Sequence, residues 1–196
     1  VMAKYEYVFK HDRAGRLVDV QTFEDLSVDI CCFSPELLKE FETQASAAVD
    51  INADRVLLKH VYVERRVTPL DLFVRESPRE ALAAIDDYGR AIKDLARINV
   101  FPGDMLLKNF GVTRLGRIVF YDYDELCPIT ECRFRRLPPP SDDLEAFSAE
   151  PWFMVDEQDV FPEEFRFFLG MPEAVKRQFI DRHGDLLAPA FWRRTQ

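Results

Sequence analysis

Apolar positions change their period along the chain, and each change predicts a different kind of element. Val1, Tyr5, Val8 and Phe9 recur at helical spacing, and His11-Asp12-Arg13-Ala14-Gly15 reads as a helix end or turn. Arg16 to Thr22 and Val28 to Phe33 are short strand candidates. Ser34-Pro35-Glu36 places a hydroxyl N-cap before Pro at the first helical position, which predicts a helix through Leu37, Leu38 and Phe41 to about Ala48. Val49 to Ile51 and Val56 to Val63 flank the polar Asn52-Ala53-Asp54, the pattern of a hairpin. Thr68-Pro69 opens a short helix carrying Leu70, Leu72 and Phe73. Ser77-Pro78-Arg79-Glu80 has the layout of a capping box. The helix it starts bears Leu82, Ile85, Tyr88, Gly89, Ile92, Leu95 and Ala96 on one stripe and ends near Asn99. Phe110-Gly111-Val112 and Arg117 to Tyr121 flank Thr113-Arg114-Leu115-Gly116 as a second hairpin. Leu137-Pro138-Pro139-Pro140-Ser141-Asp142-Asp143 is an exposed loop, because proline there excludes helix and central strand. Helical pattern returns over Glu163 to Leu169, Glu173 to His183 and Leu187 to Arg194. Strands and helices are segregated, so the expected class is α+β.

Composition narrows the partners. The 196 residues suffice for one domain or one and a half, and 47% apolar content with 17 Phe is ample for a core. A formal charge of -9 argues against a nucleic acid, which needs a basic face, and against an anionic membrane surface. No apolar run reaches the roughly 20 residues of a membrane span, and the first residues lack a signal-peptide layout. The chain is therefore expected to be cytoplasmic, and without an initiating Met it is expected to be a fragment. Cys31, Cys32, Cys127 and Cys132 lack zinc spacing and nearby His partners, and are expected to be reduced thiols. His11, His60 and His183 are too scattered for a metal triad, so surface or packing roles are expected.

The residues that carry chemistry lie between the long helix and the second hairpin. Asp104-Met105-Leu106-Leu107-Lys108-Asn109 has the form D-x-x-x-x-N, and Asp122 follows the hairpin within Phe120-Tyr121-Asp122-Tyr123-Asp124-Glu125. Taken alone, D-x-x-x-x-N also fits a turn capped by its own side chains. In this order, however, helix, motif, hairpin and second aspartate match the catalytic core of protein-kinase-like phosphotransferases. Phosphoryl transfer needs a carboxylate to orient the accepting hydroxyl and take its proton, a role that suits Asp104. It also needs hard oxygen ligands for magnesium, which suits Asn109 and Asp122. Asp122, Asp124 and Glu125 stand just beyond apolar Ile118, Val119 and Phe120, and repel one another unless a cation or basic group sits among them. Arg133, Arg135 and Arg136 fit either steering of an acidic substrate or a solvated loop face. Trp152, Phe153, Phe165, Phe167 and Phe168 fit core better than binding surface.

Three longer stretches sharpen this. Val61 to Arg66, Asn99 to Arg114 and Val119 to Glu125 resemble the signature segments of the isocitrate dehydrogenase kinase/phosphatase family, and Glu150-Pro151-Trp152 and Phe161 to Phe165 resemble its carboxy-terminal part. The resemblance implies a protein-kinase-like fold, with residues 1–64 as the end of the small lobe and the hinge and residues 65–196 as the large lobe. It implies phosphorylation of a serine on isocitrate dehydrogenase, removal of that phosphate and an ATPase activity, all at one site using ATP and Mg2+, controlling the glyoxylate bypass. Isocitrate dehydrogenase and ATP/ADP are then the partners, with no nucleic acid and no membrane. By match, Asp104, Lys108 and Asp124 fall among the catalytic residues, Asn109 and Asp122 are metal ligands, and Val61, Tyr62, Val63 and Glu64 lie against adenine. Asp124 and Glu125 are acidic groups that balance the two reactions.

The sequence departs from ordinary protein kinases in ways that suit this family. Phe101-Pro102-Gly103 precedes Asp104 in place of His-Arg, Lys108 adjoins Asn109, and Tyr123-Asp124 replaces Phe-Gly. A Gly-rich phosphate loop and a strand-borne lysine are expected upstream of Val1, so the chain alone is expected to bind Mg-ATP weakly. A small-molecule phosphotransferase and a non-catalytic interaction lobe remain alternative readings.

Overall fold

The structure is a computed structural model and describes residues 10, 12–18, 20–139 and 153–196. Helices mix with small sheets, an α+β organisation. The chain forms two compact units: Asp19–Arg65, and the residues through Val18 together with Arg66–Gln196. The expected helix over Val1 to Phe9, His11, the Pro140–Asp143 part of the loop and Glu150–Trp152 lie outside the described residues.

In the smaller unit, strand β1 (Val20–Asp29) pairs antiparallel with β3 (Arg55–Glu64) from Val20↔Glu64 to Asp29↔Arg55. Strand β2 (Val49–Ile51) lies on the other side, giving the order β1-β3-β2. The hairpin expected between residues 49 and 63 is present. Of the strands expected over Arg16 to Thr22 and Val28 to Phe33, only the parts within Val20–Asp29 are strand, and they are joined into one because the ten residues of β3 offer partners along the whole of β1. Past Asp29 the chain tightens into a 3₁₀ turn, Ile30–Cys32, where the Asp29 carboxylate accepts the Cys31 N–H at 3.0 Å. Helix α1 (Pro35–Gln44) begins as predicted, with the Ser34 hydroxyl accepting the Leu37 N–H at 3.3 Å.

The larger unit is built on a helix. Short strand β4 (Thr68–Pro69) and helix α2 (Leu70–Glu76) lead into helix α3 (Pro78–Arg97). That helix buries Ala81, Ala84, Ile85, Tyr88, Gly89, Ala91, Ile92, Leu95 and Ala96. Leu82, placed on this stripe by its spacing, is exposed, because the buried face runs through Ala81 and Ala84 on either side of it. Nor does the Ser77 hydroxyl cap the helix: with ψ of 64°, its carbonyl takes the Glu80 and Ala81 N–H groups instead. Strands β6 (Phe110–Val112) and β7 (Ile118–Phe120) form the predicted hairpin, with β4 on its outer edge. Gly116 closes its turn at φ 76°, a conformation strained for any side chain with a Cβ.

Residues 16–18 line the other edge of β7: Phe120 N–H donates to Arg16 O at 2.7 Å and Val18 N–H to Phe120 O at 3.2 Å. The Arg16 guanidinium is buried between Asp87, at 2.7 and 2.9 Å, and Asp94, at 2.9 Å, and donates to Ile118 O. Asp87 also accepts the Ile118 N–H at 2.8 Å.

The carboxy-terminal part comprises α4 (Phe165–Phe168), α5 (Glu173–His183) and α6 (Pro189–Thr195). Trp192 is fully buried and stacks on Phe134 at 5.1 Å. Phe165 packs toward Trp192 and Phe101, but Phe167 and Phe168, expected in the core, are exposed. Helical geometry turns Phe167, two residues on, away from the face of Phe165, whereas Phe168 lines the same cavity as Phe165 and stays open to it. His183 is buried against Gly89, with Nε2 3.1 Å from Asp86, and His60 lies exposed beside Glu24, so both have packing or surface roles. Among the described residues, no helix is long and apolar enough to cross a membrane.

Candidate active site

The loop between α3 and β6 is fixed from several sides. Strand β5 (Val100–Phe101) pairs with β8 (Cys127–Pro128), which brings Gly103 against Glu125. Gly103 has φ of 84°, and a Cβ there would lie 2.5 Å from the Glu125 Cβ. Glycine is therefore required both for its backbone angle and for its lack of a side chain. From below, the buried Tyr88 hydroxyl donates to Met105 O at 2.6 Å. Burial, and then the charge of Asp104, push the Tyr88 hydroxyl well above the ordinary tyrosine range, so it remains a donor at any physiological pH. Met105 and Leu107 plug the loop into the core.

These supports hold the D-x-x-x-x-N residues together. Asp104 Oδ1 accepts the Leu106 N–H at 3.2 Å and the Asn109 carboxamide N–H at 2.5 Å. Asn109 is buried, and its backbone carbonyl accepts the Tyr121 N–H at 3.1 Å, extending the ladder that pairs Phe110 with Phe120. The turn capped by its own side chains is thus present. Lys108 is exposed, and its carbonyl accepts the Tyr121 hydroxyl.

Asp122 lies one residue beyond the partner of Asn109, just after β7. It is half-buried, and its Oδ1 accepts the Asp124 N–H at 3.4 Å. Tyr123 turns the other way: it is buried, and its hydroxyl bonds both the N–H and the C=O of Val18, at 2.7 and 2.9 Å. Asp124 and Glu125 are exposed. Among the described residues, no three His, Cys, Asp or Glu side chains are grouped to hold a metal ion.

A cavity of about 550 Å³ opens beside Asp104. Its wall includes Glu125, Glu131 and, from distant sequence, Glu157, Asp159, Phe161 and Phe165. Asp159 belongs to β10 (Asp159–Val160), which pairs in parallel with β9 (Arg133–Phe134). Its fully buried side chain takes Arg135 at 2.5 Å and lies 3.7 Å from Arg133, while Arg136 approaches Glu163. The three arginines are thus engaged with acidic groups of the larger unit.

Val61, Tyr62, Val63 and Glu64 belong to the smaller unit, at the end of β3, paired with Phe23, Thr22, Gln21 and Val20. Strand β2 stops opposite Leu58, so beyond that point no strand of the described residues pairs with the second edge of β3.

Sequence reasoning missed several residues that build the site. Gly103 was noted only as a departure from the His-Arg of ordinary kinases, although a glycine just before a polar motif signals close backbone approach. Tyr88 was read as apolar stripe, yet a tyrosine in a core helix needs a partner for its hydroxyl. Nothing local pointed to Arg16, or to the wall formed by residues 157–165.

Residues 1–196 match the family described as the isocitrate dehydrogenase kinase/phosphatase (AceK) kinase domain. The sequence is 54% identical over 197 positions to the isocitrate dehydrogenase kinase/phosphatase of Anaeromyxobacter sp. (strain Fw109-5). It is 47% identical to those of Yersinia pestis (strain Pestoides F) and Serratia proteamaculans (strain 568). Each match covers 100% of this chain and 34% of the relative, so the chain spans about a third of the length of the curated relatives it matches.

Proposed function

Because the chain belongs to the isocitrate dehydrogenase kinase/phosphatase kinase-domain family, we propose that it carries the phosphoryl-transfer site of an intact protein that uses ATP to phosphorylate a serine of isocitrate dehydrogenase and also removes that phosphate. Residues 65–196 then act as the large lobe of a kinase-like fold, and residues 1–64 as the end of the small lobe and the hinge. The observation that carries the reading is the 2.5 Å hydrogen bond from Asn109 to Asp104, in a loop whose far end is tied to Tyr121, next to Asp122. The family's name favours a protein acceptor over a small molecule, and a cytoplasmic setting where that acceptor and ATP meet.

Each residue has a distinct task. With Oδ1 committed to Leu106 and Asn109, Asp104 presents Oδ2 to the serine hydroxyl and takes its proton as the oxygen attacks phosphorus. Asn109 donates its amide nitrogen to Asp104, which leaves its side-chain oxygen for a cation. Asp122 keeps most of its acceptor capacity, since its bond to Asp124 N–H is long. These two hard oxygens fit magnesium, which keeps several waters and takes one or two protein ligands. When bound, magnesium supplies charge neutralisation on the phosphate oxygens. Lys108, exposed beside them, offers a positive charge to a phosphate. Asp124 would orient the water that attacks phosphoserine. The second edge of β3 at Val61–Glu64 offers backbone groups to adenine.

Steady-state assays of the intact protein on isocitrate dehydrogenase test this. Asp122→Ala should abolish phosphorylation and dephosphorylation together, and full phosphatase activity in that variant would contradict a shared metal site. Asp104→Ala should lower phosphorylation by about 10²–10⁴-fold.

A further inference from the structure

Cys127 and Cys132 have no part in the chemistry assigned above. Their Sγ atoms lie 3.6 Å apart, against about 2.0 Å in a disulfide. Backbone, rather than a chance of rotamers, builds this approach. Cys127 sits in the β5–β8 ladder opposite Phe101. A 3₁₀ turn, Ile129–Glu131, then carries the chain back, with Cys132 N–H donating to Ile129 O at 3.0 Å. Gln196 clamps the same turn, its Nε2 donating to Ile129 O at 3.0 Å and Cys132 O at 2.7 Å. Strand β9 starts at the next residue. The backbone is held by hydrogen bonds on both sides of the pair, so closing the gap falls to the two side chains. Both residues line the cavity that Asp104 lines, which gives a small reagent access.

We propose that Cys127 and Cys132 are a modification site: a dithiol converted to an intramolecular disulfide by exchange with a small oxidised thiol such as glutathione disulfide. The inference is independent of the phosphotransferase reading. Cys127, half-buried against the cavity, loses its proton and attacks one sulfur of the reagent, expelling one thiolate. Cys132 then loses its proton and attacks the Cys127 sulfur, expelling the second. The two cysteine thiols are oxidised, the external disulfide is reduced to two thiols, and the two protons released are taken up by the departing thiolates. The hydrogen bond with Cys127, burial and the nearby Glu131 charge all push the Cys132 thiol up. The closing step, which needs the Cys132 thiolate, should therefore quicken as pH rises. Once the mixed disulfide exists, the second step is favoured, because its thiol is already in contact. The new bond would change the cavity wall opposite Phe101, three residues before Asp104.

The test is incubation of the intact protein with glutathione disulfide at about pH 8, acid quench, alkylation and peptide mass spectrometry. The exposed Cys31 and Cys32 report that the reagent has acted. The expected product is a Cys127–Cys132 peptide lighter by two hydrogens, with little glutathione on either residue. In Cys132→Ser, glutathione should persist on Cys127 at roughly ten times the unsubstituted occupancy. Equal persistence in both proteins would overturn the proposal. So would full alkylation of both thiols in the unsubstituted protein once Cys31 and Cys32 have reacted, a readout that needs no variant.

Discussion

Two aspartates of the larger unit are held in opposite ways. Asp104 is over-determined. Its carboxylate accepts two N–H groups, its loop hangs from the Tyr88 hydroxyl, and Gly103 lets the backbone press against Glu125. Asp122 has a rigid stem but a loose head. Residues 16–18 and the buried Tyr123 hydroxyl fix the chain around it, yet its own carboxylate takes one long bond from Asp124. A carboxylate whose orientation is fixed by donors suits directional proton transfer. One with spare lone pairs suits a cation that brings its own geometry and waters. The difference teaches that two identical side chains are set apart by their partners rather than by residue type.

Breaking the stem should have the largest effect. Arg16→Ala leaves Asp87 and Asp94 without their buried cation and frees Ile118 O, and should destabilise the protein by about 3 kcal/mol in denaturant titration. Gly103→Ala attacks the other loop, through both its φ and the contact with Glu125, and should cost about 2 kcal/mol by the same measurement. Tyr88→Phe removes one buried donor and leaves Met105 O unpaired, for about 1 kcal/mol. Acid should act through the stem as well. Burial opposes the Asp87 charge, but the Arg16 hydrogen bonds and the Ile118 N–H hold its carboxyl below the ordinary range. The stability it contributes is thus present above its unfolded value of about 3.9 and is lost as pH falls through the folded value. Unfolding monitored from pH 5 to pH 2, approximately, should show a shallower decline in Arg16→Ala. The smallest effect belongs to the exposed Asp124 beside that head: Asp124→Ala should change stability by less than about 0.5 kcal/mol while shifting the ratio of the two activities.

The strands and helices that carry the site were legible because their periods are local. The hairpin β6–β7, helix α3 and the polar ends around Asp104 and Asp122 follow from alternation, helical spacing and turn residues. What escaped was set by tertiary partners. The division between residues 16–18 and β1 depends on which strand each pairs with, Phe120 or the ten residues of β3. Ser77 looked like a side-chain cap, but at φ -125° and ψ 64° its hydroxyl makes no capping hydrogen bond. Phe167 and Phe168 are as apolar as Phe165, and the direction of a four-residue helix decides which of them is covered. The cavity wall at residues 157–165 reaches Asp104 through the parallel pairing of β9 and β10 and the packing of Phe165 on Phe101, which no local pattern encodes.

Calorimetric titration of the intact protein with ATP, with and without magnesium, tests the division of labour between the two aspartates most directly. Asp122→Ala should lose at least about tenfold in magnesium-dependent ATP affinity, because it removes a metal ligand. Asp104→Asn should keep that affinity within about threefold, because its role is in proton transfer. A tenfold loss in Asp104→Asn together with unchanged magnesium dependence in Asp122→Ala would contradict the account.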